Sequence, residues 1–194
     1  MFEQGDRVVY HHDVCKITGY AENYIGEDDY LILEALYENS LTFYVPVRSL
    51  DILLHPVLTE NEALELIDSI ADTEPLDESK LSKNLPKRNA PGQGSASTNN
   101  KLRDSYRHYV KDSNVWELVP FIKLIHERIE ERLENNQSPI ATDKEYYEQV
   151  EKIIDDELAA ALDIDRDKIE KFIEDRTGIK IYRIHERIRE HEEA

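Results

Sequence analysis

Apolar and polar positions change rhythm along this chain. Short apolar blocks and strict alternation fill the first fifty residues, helical spacing begins at residue 59, and a stretch with almost no apolar periodicity runs from 73 to 100. Phe43, Val45 and Val47 alternate with Thr42, Tyr44 and Pro46, which puts apolar groups on one face at period two and predicts a strand. Residues 30–36 are apolar on both faces apart from Glu34, the pattern of a central strand. Gly19, Asn23, Gly26 and the run Glu27-Asp28-Asp29 supply turns, and Glu38-Asn39-Ser40 reads as a short hairpin loop. Pro46 cannot donate a ladder hydrogen bond, so the last strand lies at an edge or ends there. Four short strands fit a curled, barrel-like sheet, which buries little by itself and needs the following helix against it.

That helix is announced by Thr59-Glu60-Asn61-Glu62, a capping box in which a hydroxyl and a carboxylate satisfy free amides at opposite ends of one turn. Ala63, Leu64, Leu66, Ile67 and Ile70 form its apolar stripe, and it ends near Asp72. Pro75, Pro86, Pro91, Gly92 and Gly94 mark 73–100 as a linker, locally basic through Lys80, Lys83, Lys87 and Arg88. Beyond it a short helix over 101–111 carries Arg103, Tyr106, Arg107 and Tyr109. Asp112 or Ser113 caps the next, whose apolar positions run from Val115 through Leu118, Ile122, Ile125 and Ile129 to Leu133. Pro120 conflicts with that helix by about 3 kcal/mol at an interior position, so the helix starts near Val119 or bends. Thr142-Asp143-Lys144-Glu145 reads as a second capping box, opening a long helix striped by Tyr146, Val150, Ile154 and Leu158. Asp165 caps a shorter helix with Ile169, Phe172 and Ile173, stopped by Gly178, and Ile181, Ile184 and Ile188 mark a last helix in a charged tail. The expected class is α+β: a small antiparallel β domain of the Tudor or SH3 kind with one closing helix over 1–72, the linker, an all-helical domain over 101–178, and the tail over 179–194.

Charge narrows the possible partners. The net charge of −18 is spread unevenly: residues 1–75 hold 16 acidic against 3 basic groups, 76–102 are locally positive, and 103–194 are acidic again. Phosphate binding rests on Lys and Arg displacing condensed counterions, so such a chain binds naked DNA poorly unless its basic groups cluster. The acids solubilise the surface, or complement a basic protein. A single cysteine, Cys15, precludes an internal disulfide. Met1-Phe2-Glu3 leads straight toward a strand without the basic start or apolar core of a signal peptide, and no apolar run is long enough to span a membrane. A cytoplasmic protein without membrane contact is the expectation.

Catalytic and metal chemistry find little support. His11-His12 are adjacent, so in a strand they would point to opposite faces, and no cysteine or histidine cluster completes a site. His126-Glu127 and His185-Glu186 lack the second histidine four positions on that a zinc-protease helix needs; they sit in near-repeated strings, Ile125 to Ile129 and Ile184 to Ile188. No phosphate-cradling glycine loop, nucleophile elbow or dinucleotide fingerprint occurs. The chain reads as a non-enzyme without cofactor or metal.

Gly5-Asp6-Arg7-Val8-Val9-Tyr10-His11-His12-Asp13-Val14-Cys15-Lys16-Ile17, with Leu41-Thr42-Phe43-Tyr44-Val45-Pro46-Val47 downstream, resembles the amino-terminal RNA-polymerase-interacting domain of CarD-like bacterial transcription regulators, shared with transcription-repair coupling factors. The likeness covers residues 1–54, and more loosely 101–176. There Tyr146-Tyr147-Glu148-Gln149, Glu157-Leu158-Ala159 and a helix start over 165–169 resemble the divergent Firmicutes-type form. It implies that His11-His12 form a turn. It also implies that the fourth strand meets the β subunit of RNA polymerase, with Leu41, Thr42, Phe43, Tyr44 and Val45 as the docking segment and Thr42 and Tyr44 facing outward. Other members often carry a basic residue where Tyr44 stands. Actinobacterial and thermophilic members wedge a Trp into the minor groove from the head of the helical domain. Here positions 99–102 hold none, and Trp116 lies later.

The expected function is regulation of transcription: binding to polymerase through the β domain, and modulation of open-complex formation by a helical domain near promoter DNA. Lys101, Arg103, Arg107 and Trp116 are the nucleic-acid candidates. Tethering to polymerase raises effective concentration, so little intrinsic DNA affinity is needed. The alternative is an acidic protein–protein adaptor that docks on polymerase or another protein and leaves DNA untouched. A contiguous basic face including Lys101, Arg103 and Arg107 would favour the first, an acidic face the second.

Overall fold

The computed structural model describes residues 2–38, 41–81, 96–179 and 183–193 and has an α+β fold. Its strands are β1 (Arg7–Tyr10), β2 (Asp13–Ile25), β3 (Asp28–Ala35), β4 (Thr42–Pro46) and β5 (Leu54–Pro56). Its helices are α1 (Leu50–Leu53), α2 (Glu60–Ser69), α3 (Ala96–Asp112), α4 (Val115–Glu134), α5 (Ala141–Leu162), α6 (Ile169–Thr177) and α7 (Arg183–Glu193). The chain divides into two compact units, Met1–Leu64 with Asp155–Arg166, and Glu65–Ile154 with Asp167–Ala194. The expected cut at 72 therefore falls inside the second unit, to which the tail helix α7 also belongs, while the last turns of α5 join the sheet.

In the first unit the five strands form one antiparallel sheet in the order β4-β3-β2-β1-β5. Four strands were expected; the fifth, β5, follows the single turn of α1 and pairs with β1. His11 and His12 are the two turn residues between Tyr10 and its partner Asp13, with φ of 50° and 73°. Positive φ at both central positions gives the tight turn whose twist matches two antiparallel strands. Val8, Cys15, Ile17, Leu31, Leu33, Val45 and Leu54 are buried together on the inner face, with Phe43, Leu50 and Leu53 packed around them. Burial, with Asp13 nearby, pushes the Cys15 thiol up to about 12, so it behaves as a small apolar group. Val47 does not continue the inward row: the chain turns into a 3-10 turn at Val47–Ser49 and leaves it exposed.

The opposite face of β1 and β2 buries Val9 and Val14 against Ala160 of α5, flanked by Tyr37 and Val57. A small side chain lets the helix come close, and Arg7 fastens it by donating to the Ala160 carbonyl (2.8 Å) and to Asp163 (2.7 Å). The start of α2 is the expected capping box: the Thr59 amide donates to Glu62 Oε2 (2.8 Å) and the Glu62 amide to Thr59 Oγ1 (3.3 Å).

In the second unit α4 is capped by Asn114, not by Asp112 or Ser113 as expected. Asn114 accepts from the Glu117 amide (3.2 Å), and Glu117 accepts from the Asn114 amide (2.9 Å). This box sets the start at Val115, so Pro120 lies inside the helix and a start near Val119 is overturned. The missing Pro120 N–H deprives the Trp116 carbonyl of its ladder donor, in the first turns of the helix. The second expected capping box is also overturned. α5 begins at Ala141, and Asp143 is fully buried within it, accepting from the Tyr106 hydroxyl (2.7 Å) and from Arg128 Nε (3.3 Å). Arg128, itself 3% exposed, also pairs with Glu78 (3.0 Å).

Glu78 and the buried Leu76 lie in the expected linker, yet they are tied to the helices; the Leu76 amide donates to the Pro120 carbonyl (2.8 Å). Lys83, Lys87 and Arg88 lie outside the described residues. α3 extends the expected 101–111 helix at its start. A 3-10 turn, Arg166–Lys168, stands between Asp165 and α6, which stops at Gly178 with φ of 74°. α7 buries Ile184 and Ile188, and its charges pair with the neighbouring helices: His185 with Glu151 (2.9 Å), Lys144 with Glu192 (2.6 Å), and Arg187 with Glu130. Ile181 lies outside the described residues.

Candidate protein-docking edge

Among the described residues β4 stands at the end of the sheet, with β3 as its neighbour. The Ala35 amide donates to the Leu41 carbonyl (3.0 Å), which fixes the phase of the ladder. With Leu33 opposite Phe43 and Leu31 opposite Val45, antiparallel alternation turns the main-chain groups of Phe43 and Val45 toward β3. The amides and carbonyls of Thr42 and Tyr44 therefore point away from the sheet. Pro46 occupies the next outward position, where its missing donor costs no ladder bond.

Side chains follow the same alternation. Phe43 is half-buried and Val45 is fully buried on the inner face, as the alternation predicts, so within the docking segment 41–45 their side chains belong to the core. Leu41, Thr42 and Tyr44 are exposed. The outer face carries rows across β2, β3 and β4: Lys16, Glu34 and Thr42, then Gly19, Ile32 and Tyr44, then Ala21, Tyr30 and Pro46. Tyr24 stacks on Tyr44 with ring centroids 4.5 Å apart and planes 6° from parallel, and it meets Tyr30 edge-on at 5.9 Å. Sequence alternation missed Tyr24, because β2 bulges between Ala21 and Ile25 and so breaks the period of two. Asp29 fills that bulge, accepting from the Tyr20 hydroxyl (2.5 Å) and the Asn23 amide (3.0 Å). Those two hydrogen bonds hold its carboxyl below the usual range.

The nucleic-acid candidates lie in the second unit. Lys101, Arg103 and Arg107 are exposed on α3, and Trp116 is 40% exposed in the first turn of α4. Arg103 pairs with Glu145, and Arg107 with Asp104, so both guanidinium groups already face carboxylates. Among the described residues no group of three or more His, Cys, Asp or Glu is placed to hold a metal ion, and no helix is long and apolar enough to cross a membrane. Comparison with protein-family models and with curated proteins gives no match.

Proposed function

We propose that this chain is a transcription regulator that docks through β4 on the β subunit of RNA polymerase and modulates promoter opening, with its helical unit near the DNA. The observation that carries the reading is the open edge itself: Thr42 and Tyr44 offer unpaired main-chain groups along a strand whose sequence, with that of β1 and β2, resembles the polymerase-interacting domain of CarD-like regulators. An added partner strand would gain main-chain hydrogen bonds there, with alternate side chains setting selectivity. The test is co-purification with core RNA polymerase, using Tyr44→Glu as the control. Association that the substitution abolishes supports the reading, and no association by the unaltered chain refutes it.

A second reading has an observation of its own. The carboxylates beside Arg103 and Arg107 neutralise the cations that promoter contact would need, which favours an adaptor that docks on polymerase or another protein without touching DNA. Promoter footprinting of the polymerase complex separates the two: new protection lost with Arg103→Ala and Arg107→Ala supports DNA contact, and an unchanged footprint supports the adaptor.

A further inference from the structure

The outer face of the sheet beside β4 carries more than an open edge. Tyr24 and Tyr44, 52% and 41% exposed, form a stacked pair whose outer ring face meets solvent, backed by Tyr30 and Ile32. A Cβ at Gly19 would stand 3.4 Å from the Ile32 side chain, so the glycine keeps this part of the face shallow. Large aromatic rings exposed together on one face mark an interaction surface, and their π-faces accept either a stacked base or a cation.

Charge decides between these. Among residues 1–64 the lysines and arginines are Arg7, Lys16 and Arg48. Arg7 is committed to Asp163, and Arg48, the nearest in sequence to Tyr44, to Asp28. On the outer face Glu34 is exposed one row away from Tyr44, with Lys16 opposite it on β2, and Glu22 and Glu27 are exposed in the β2–β3 hairpin. A polyanion would meet a segment, residues 1–64, with twelve acidic groups against three basic ones, one of them Lys16 opposite Glu34, whereas a cationic side chain would find a π-face on a net negative unit.

From this platform we infer that the partner strand received by β4 carries an arginine opposite Tyr44, its guanidinium lying on the Tyr24–Tyr44 pair, where the net negative charge of residues 1–64 favours a cation. The inference rests on the docking reading above and specifies the chemistry of the partner. Geometry supports it: a residue paired with Tyr44 on an added strand has its side chain on the same face, within reach of the ring. Arginine suits the position better than lysine, because its planar, weakly hydrated group stacks on aromatic faces.

Three strand-forming peptides that differ only at a central arginine, citrulline or glutamate test this by fluorescence anisotropy against the full chain. The arginine peptide is expected to bind about fivefold more tightly than the citrulline peptide, and the glutamate peptide most weakly. Tyr24→Leu with Tyr44→Leu should erase the arginine preference while keeping the citrulline affinity. Equal binding by all three, no binding by any, or tighter binding of a single-stranded dT oligonucleotide through the same tyrosines overturns the inference. Polymerase co-purification separates it from the reading beneath. Undiminished capture by the double-leucine variant leaves the docking standing and removes the arginine; an arginine preference without polymerase capture removes the polymerase and keeps the platform.

Discussion

Glu157 is a carboxylic acid held in the first unit with 5% of its surface exposed, and it accepts a hydrogen bond from the Leu58 amide at 3.4 Å. Burial pushes its pKa up to about 7, the Leu58 bond pulling it down and Glu62 adding repulsion. A folded-state pKa above the unfolded one means that the native chain binds the extra proton. Its contribution is therefore complete below about 4.5 and is lost as pH rises through about 7. Glu157→Gln keeps the acceptor for Leu58 and removes the titration. Denaturant unfolding should show the variant more stable than wild type above pH 7, by up to about 3 kcal/mol, and the gap should close toward pH 4.5. Asp143 poses the reverse problem, because it is buried with a guanidinium and a phenol aimed at it. Asp143→Ala leaves the buried Arg128 guanidinium with only part of its compensation, the Glu78 pair, and should cost about 3 kcal/mol; Arg128→Met in the same chain should recover most of that. A thermal or urea series on the two variants checks both directions.

At the scale of the element, β4 separates stability from recognition by the parity of its residues. Phe43 sits on the inner face with the core, whereas Tyr44 lies outward at 41% exposure. Phe43→Glu should lower unfolding stability by about 2 kcal/mol or more, since it replaces apolar burial with a charge. Tyr44→Glu should leave the unfolding midpoint nearly unchanged and abolish partner capture. Equal loss of stability in the two variants would show that the inward and outward assignments of this strand are wrong. The bulges of β2 belong to the same scale: they bend a thirteen-residue strand so that Tyr24, far along it, comes back over Tyr44.

For the molecule as a whole the governing quantity is its net charge of −18. With Arg103 and Arg107 paired to carboxylates, the expectation is a weak intrinsic attraction for duplex DNA. The chain alone should give no measurable shift of naked promoter DNA in an electrophoretic or anisotropy assay at physiological salt. A signal should appear only when polymerase is present to tether it. Tight binding to free DNA would contradict recruitment as the route to a promoter.

What the sequence determined by itself was local. Period-two alternation placed β4 and its inward face, Pro46 marked the edge, Thr59 and Glu62 fixed the start of α2, and Gly178 ended α6, because each depends on neighbours a few residues away. Contacts between distant residues were decided only by the tertiary structure. Thr142 and Glu145 had the spacing of a capping box, but the helix starts at Ala141, with Thr142 buried inside it and Glu145 paired with Arg103. Asn114 took the cap from Asp112 and Ser113, and Pro120 was accommodated within the helix. The Tyr24–Tyr44 stack required a strand to bulge and curl, and periodicity cannot register a bulge: from Ala21 to Ile25 β2 advances four residues against two of β3, and only the paired sheet decides where the extra residues turn.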